Sequence, residues 1–252
     1  MTKNNLKSVG FSHYQLDLEY SEKDKNNLLN EFSKLEPDTY APAKVSRFRR
    51  YGNAIIIPWL KEPELHWLPT IKDDNGNNLS GYDQGSNNPE HKNMRYFRAL
   101  SDGVKNNALL ENIILDDFKN TFGLSDHYLP IYVGIHFVKV KCSDNKLPGF
   151  SSPDCFHQDG EPFTFAHLIN RSENIDGGIN YIGKVSARNK KIEEVSNDEI
   201  ISQFTLENFL ESFAVCDELV SHYISHITLK EDGGESERSM ILIDFSMTKQ
   251  DI

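Results

Sequence analysis

The spacing of apolar positions changes character halfway along the chain. Ser21, Glu22 and Asp24 precede Leu28, Leu29, Phe32 and Leu35, the pattern of a capped amphipathic helix over roughly 21–35 that Pro37 and Pro42 close off. RFRRY at 47–51 leads into Ala54-Ile-Ile-Ile57, which predicts a short buried strand ending at Pro58. A second helix is expected from about Asn106 to Phe122, burying Leu109, Leu110, Ile113, Ile114 and Phe118, with Gly123 as its stop. After Pro130 the period falls to two: Ile131, Val133, Ile135 and Phe137 alternate with Tyr132, Gly134, His136 and Val138. Short strands follow near Phe163–Ile169, Ile179–Gly183, Phe213–Cys216, Ser221–Thr228 and Met240–Phe245, separated by Gly, Asn and Asp clusters. Helices first and many short strands later argue for an α+β chain whose second half is a two-sheet barrel or jelly roll.

Between Lys72 and Lys92 the sequence KDDNGNNLSGYDQGSNNPEHK reads as one long polar loop. Such loops are often functional lids, and Tyr82, Gln84 and Asn87 are its candidates for contact with a small polar ligand. We read 1–252 as a single domain, a helical and loop part over about 1–125 followed by a barrel core over about 126–252. At 252 residues the chain is long enough to bury its core without disulfide or metal staples.

Charge and cysteine usage narrow the functional classes. The net charge of −11 repels phosphate backbones and anionic membranes, so neither nucleic acid nor a membrane is an expected partner. Cys142, Cys155 and Cys216 are odd in number, widely spaced and without a C-x-x-C motif, which fits reduced thiols better than a disulfide framework. MTKNNLKSVG carries no apolar signal segment, and no run of about 18 apolar residues occurs. A cytoplasmic location is the expectation.

His157-Gln-Asp159-Gly160 is the candidate chemistry. On an extended segment, residues two apart point to one side, so His157 and Asp159 deliver an imidazole and a carboxylate to one metal. A second His from a later strand, His222 or its near neighbour His226, completes a two-His, one-carboxylate face with open positions, the ligand set of non-haem Fe(II) oxygenases. Arg47, Arg49, Arg50, Arg95 and Arg98 are concentrated for an acidic chain. Surface ion pairs are the plain explanation; the functional one is that a member such as Arg95, beside the polar loop, grips a substrate carboxylate. Trp59 and Trp67 are read as core.

The block IHFVKVKCSDNKLPGFSSPDCFHQDGEPFTFAHLINRSENIDGGINYI, followed by FTLENFLESFAVCDELVSHYISHI and ERSMILIDF, resembles the 2-oxoglutarate/Fe(II) dioxygenase family that contains bacterial L-isoleucine hydroxylase. RFRRY and DQGSNNPEHKNMRYF look like further blocks of that family, so the resemblance spans most of 40–246. It implies a double-stranded β-helix of jelly-roll or cupin-like form with supporting helices. It implies Fe(II) held by His157, Asp159 and His222, since a Pro commonly stands in the family where His226 stands here; His226 is then a packing residue. 2-Oxoglutarate chelates that iron, O2 takes the last position, and the far carboxylate of 2-oxoglutarate needs a buried Arg. Arg238 is the candidate, facing His222 if a hairpin turns at Lys230. Many relatives carry R-x-S where this chain has Met240, so any hydroxyl partner comes from elsewhere. Arg171 and Asn174 either touch substrate or brace their turn.

The implied reaction is hydroxylation of an unactivated C–H bond of a free L-amino acid, isoleucine, leucine or methionine before a polar or cyclic one, with release of succinate and CO2. Retention of Asp159 argues against a halogenase. The rivals are a non-catalytic cupin-like sensor and a zinc or manganese isomerase or hydrolase on a similar barrel.

Overall fold

The structure is a computed structural model that describes residues 6–84, 93–122, 128–151 and 153–247. Its helices are α1 (Leu6–Val9), α2 (Glu22–Ser33), α3 (Asp102–Lys105) and α4 (Ala108–Lys119). The early strands are β1 (Phe11–Gln15), β2 (Glu36–Pro37), β3 (Ser46–Ile56), β4 (Leu65–Trp67), β5 (Ile71–Lys72), β6 (Asn78–Tyr82) and β7 (Arg95–Arg98). The later ones are β8 (Ile131–Cys142), β9 (Phe163–Arg171), β10 (Ile175–Gly177), β11 (Ile179–Gly183), β12 (Ile200–Thr205), β13 (Glu211–Cys216), β14 (Ser221–Ile224), β15 (Ile227–Leu229) and β16 (Ser236–Ser246).

Both predicted helices form where their caps place them. The Ser21 side chain accepts from the Asp24 N–H at the start of α2, and Asn107 accepts from the Leu110 N–H at the start of α4. Leu28 and Phe32 of α2 and Leu110, Ile113, Ile114 and Phe118 of α4 lie in one core cluster with Ile135 and Phe137 of β8, Phe165 of β9 and Ile241 and Ile243 of β16. The helices therefore cover one face of a large antiparallel sheet of order β1-β13-β9-β16-β8-β3-β2, with β4 on β3.

Alternation along these strands turns the other face inward. Arg238 of β16 pairs with Val140 of β8, which pairs with Arg47 of β3; Met240 pairs with Val138, which pairs with Arg49, and Leu242 with His136, which pairs with Tyr51. Most of these residues line a cavity closed on its far side by residues of β11 and β14, strands of a second sheet of order β12-β11-β14. Two stacked antiparallel sheets enclosing a site make this a double-stranded β-helix. Burial on both faces is also why nearly every residue of β8 is buried, where a one-sided strand would alternate.

Four expectations change. RFRRY and the Ile run are one eleven-residue strand, β3, so the first part of the chain contributes sheet as well as helix. The segment after Lys72 is not one loop: β5 pairs with β6 and β6 with β7, because Leu79, Gly81 and Tyr82 allow pairing that their polar neighbours obscured. The expected strand over Ser221–Thr228 breaks at Ser225 and His226, β14 pairing with β11 and β15 with β10. Arg238 does not face His222 across a hairpin, since β16 inserts between β8 and β9 and sets Arg238 beside Val140 and Arg171.

Candidate active site

His157 forms a two-bond antiparallel bridge with His222, the N–H of each donating to the carbonyl of the other at 2.9 and 3.0 Å. That bridge joins the H-x-D segment to β14 and brings the imidazoles to 4.3 Å between ring centres. Asp159, two residues on, reaches the same point: its carboxylate oxygens lie 3.9 Å from His157 Nε2 and 3.5 Å from His222 Nε2. Ligand atoms of all three residues lie within 4.8 Å of one another. Gly160 then turns the chain with φ +84°, a conformation that favours glycine, and its N–H donates to Asp217 Oδ2.

The protonation states suit a divalent metal. His157 Nδ1 donates to the Cys155 carbonyl at 3.0 Å, which leaves the lone pair on Nε2, facing Asp159. Burial first, then the neighbouring His157 imidazole, lowers His222 to about 4, so it is neutral and able to ligate at pH 7. Desolvation pushes Asp159 up, but the neighbouring His222, His157, His136 and Arg49 outweigh it and the net shift is downward. A carboxylate and two imidazoles on one side of a cavity fit Fe(II) with positions to spare. Around them sit buried acids: Glu161 is pushed up to about 9 and Asp217 to about 8, by desolvation first and in both cases also by the charge of Asp159.

His226 stands apart, its Nε2 2.8 Å from Asp154 Oδ1 and its ring against Phe150. The kink after Ile224 takes it off the face that a regular strand would share with His222.

The cavity has a volume of about 130 Å³. Arg238 lines it, 3% exposed, with Nε and Nη2 buried and without hydrogen-bond partners among the described residues. Desolvation, with the charge of Arg171 beside it, lowers Arg238 to about 9, still cationic at neutral pH. A buried, unpartnered guanidinium fits the far carboxylate of a dicarboxylate such as 2-oxoglutarate. Arg171 does not line the cavity; its Nη2 donates to the Gly177 carbonyl at 3.0 Å. Asn174 ties down the neighbouring loop through Glu231 and Gly233. Arg95 and Gln84 both line the cavity, and they form a chain: Arg95 Nη2 donates to Gln84 Oε1, and Gln84 Nε2 to Asp159 Oδ1 at 3.3 Å. Asn87 lies outside the described residues. His136 and Asp244, which no motif singles out, share the cavity wall with Arg49; the alternation of β8 and β16 is the signal in the sequence that points to them.

A cavity between two antiparallel sheets, with two imidazoles and a carboxylate on one wall and a buried guanidinium on another, has the arrangement of a non-haem iron oxygenase of the double-stranded β-helix class. The chain belongs to the 2OG-Fe dioxygenase family, whose model matches residues 30–244. It is 27% identical over 247 residues to an L-isoleucine-4-hydroxylase of Bacillus thuringiensis, covering 96% of this chain and 92% of that one. It is 27% identical over 163 residues to a 3(1)-hydroxy-L-isoleucine 4-dioxygenase of Pantoea ananatis (strain AJ13355), covering 62% and 59%. The crystal structure of IDO from Bacillus thuringiensis superposes with a TM-score of 0.69 at 23% identity, over 98% of this chain and 97% of that one. The protein is thus an enzyme that uses Fe(II), 2-oxoglutarate and O2. Among the described residues no helix is long and apolar enough to cross a membrane.

Proposed function

We propose that this dioxygenase hydroxylates an unactivated C–H bond of a free L-amino acid, aliphatic side chains such as those of isoleucine, leucine and methionine being favoured. The observation that carries the reading is the cavity itself: about 130 Å³, with three candidate metal ligands, a buried guanidinium for a carboxylate and apolar walls from Val138, Leu242 and Ile224. That space suits a small zwitterion with an aliphatic tail. The likeness to an L-isoleucine-4-hydroxylase along 92% of that protein supports the same substrate class.

In this reading His157, Asp159 and His222 hold the metal and Arg238 holds the far carboxylate of 2-oxoglutarate. When bound, iron with O2 supplies the oxidising power, 2-oxoglutarate leaving as succinate and CO2 while one oxygen atom enters the C–H bond. The chain's own part is positioning and exclusion of water. Gln84 and Arg95 brace the Asp159 carboxylate and border the substrate, whereas Arg171 supports the Gly177 turn behind Arg238. The chain acts as one catalytic domain, because β1 pairs with β13 and β3 with β8, weaving the N-terminal part into the sheet that carries Arg238.

The test has two stages. Anaerobic protein with Fe(II) and 2-oxoglutarate should develop the weak visible charge-transfer band of the chelate. A succinate-release screen across the free L-amino acids, with mass analysis of the products, should then give coupled hydroxylation of an aliphatic member. Coupled turnover confined to polar or cyclic amino acids would correct the substrate, and none at all would refute the amino-acid reading.

A further inference from the structure

The cavity has a second charged wall that neither the metal nor Arg238 explains. Arg49 on β3 donates through Nη2 to His136 Nδ1 on β8, and His136 Nε2 lies 2.7 Å from Asp244 Oδ2 on β16. A guanidinium only donates, so Nδ1 is the acceptor and the ring proton sits on Nε2, pointing at the carboxylate. Burial first, then the charges of Arg49 and Arg95, hold His136 well below the ordinary histidine value, in keeping with a neutral ring. Asp244 is itself seated: its Oδ1 accepts the Gly134 N–H at 3.1 Å, in a space where any Cβ on residue 134 would stand 2.2 Å from that oxygen. Three adjacent strands thus fix one guanidinium.

Among the described residues no carboxylate pairs directly with this guanidinium. Arg47 is paired with Asp38, Arg50 with Glu31 and Glu36, and Arg98 with Glu36. No carboxylate among the described residues lies within ion-pair distance of Arg49 or Arg95, and Arg49 Nε is buried without a partner. Both cations instead rest on aromatic rings, Arg49 4.5 Å from the centre of Phe97 and Arg95 5.0 Å from that of Tyr82. Two neighbouring cations in a cavity wall, offset only by carboxylates such as Asp38 and Asp159 that do not pair with them directly, are costly to bury and gain from a ligand that brings a carboxylate into contact.

We propose that Arg49, with Arg95 as a second charge, is the anchor for the carboxylate of the amino-acid substrate, and that His136, seated on Asp244, is its positioning residue. The inference rests on the amino-acid reading above and deepens it. The two cations then divide the work: Arg238 on β16 takes 2-oxoglutarate and Arg49, two strands away on β3, takes the substrate. The consequence is selection for a free carboxylate, so an amino acid is accepted and its amide, or a residue inside a peptide, is not.

The test is calorimetric titration of the full chain, loaded with Mn(II) and 2-oxoglutarate so that nothing turns over, with the free L-amino acids including L-isoleucine, and with the amide of the best binder. Wild type should prefer acid over amide by ~100-fold, and Arg49→Met should lose about that factor for the acid while amide binding stays the same. Arg49→Lys, which keeps charge and bulk but not the fork, should fall between. His136→Ala should weaken the acid by about tenfold and leave the amide alone, a split that general loosening of the site does not produce. The affinity for 2-oxoglutarate, measured separately, should hold in all three variants and reports that they are folded. If Arg49→Met does not fold, the Arg49→Lys ratio decides. An acid-over-amide preference that survives these substitutions, or a loss that appears in 2-oxoglutarate affinity instead, overturns the assignment while leaving the amino-acid reading intact. A wild type that binds no free amino acid overturns that reading and this assignment with it.

Discussion

A buried guanidinium with two nitrogens unpartnered among the described residues is poorly solvated, which makes Arg238 a sharp probe of the proposed 2-oxoglutarate site. Arg238→Lys keeps the positive charge but removes the planar fork. The 2-oxoglutarate KM should rise by roughly 10- to 100-fold with metal affinity little changed; an unchanged KM would move the role to Arg171, its neighbour in register. The two later histidines offer a contrast at the same scale. His222→Ala should lose Fe(II) binding and turnover, as should His157→Ala and Asp159→Ala, whereas His226→Ala should keep both, since His226 is engaged with Asp154. Iron titration monitored by the chelate band distinguishes the cases, and iron retained in His222→Ala but lost in His226→Ala would reverse the proposed ligand set. The H-x-D motif was legible because it is local. The role of Arg238 is implied by the family resemblance, but a hairpin at Lys230 misplaces it opposite His222, because residue numbers alone do not say that β16 inserts between β8 and β9.

Elements that bury one face announced themselves, and those whose partners lie far away in sequence did not. The caps and apolar stripes of α2 and α4 place both helices within a few residues. β6 and β7, short and polar, and β12, with no buried residue, take their pairing from neighbours and carry almost no period of their own. The docking of α4 depends on a contact no periodicity indicates: His167 of β9, fully buried, lies 2.8 Å from Asp117 Oδ2 on the helix and 2.8 Å from Ser212 Oγ on β13. Ser212 gives its proton to the Leu210 carbonyl, so His167 Nδ1 must donate to it. Asp117→Ala strips the helix-side partner from a sealed imidazole and should destabilise the fold by on the order of 3 kcal/mol. Urea unfolding should show this as a lower midpoint with an unchanged slope. A loss below ~1 kcal/mol would mean that water or rearrangement replaces the contact.

For the molecule as a whole, a metal held between the H-x-D segment and β14, as proposed, would couple its binding to folding. Mn(II) at 100 times its dissociation constant should stabilise the native state by about 2.7 kcal/mol, seen as a higher Tm that a chelator reverses and that Asp159→Ala abolishes. Equal stabilisation of that variant would place the ion elsewhere. β16 adds a constraint of another kind. Arg238, Met240, Leu242 and Asp244 project from one side of a single strand, and its first and last members, six residues apart, are separated by ~20 Å through pleat geometry alone. The strand is a yardstick with fixed ends. Replacing Met240 or Leu242 recuts the width of the chamber and changes which side chain fits, but no such replacement alters its length. A scaffold gauged in this way would acquire new aliphatic substrates through point mutation at Met240 or Leu242, with the spacing of its charged ends along β16 unchanged.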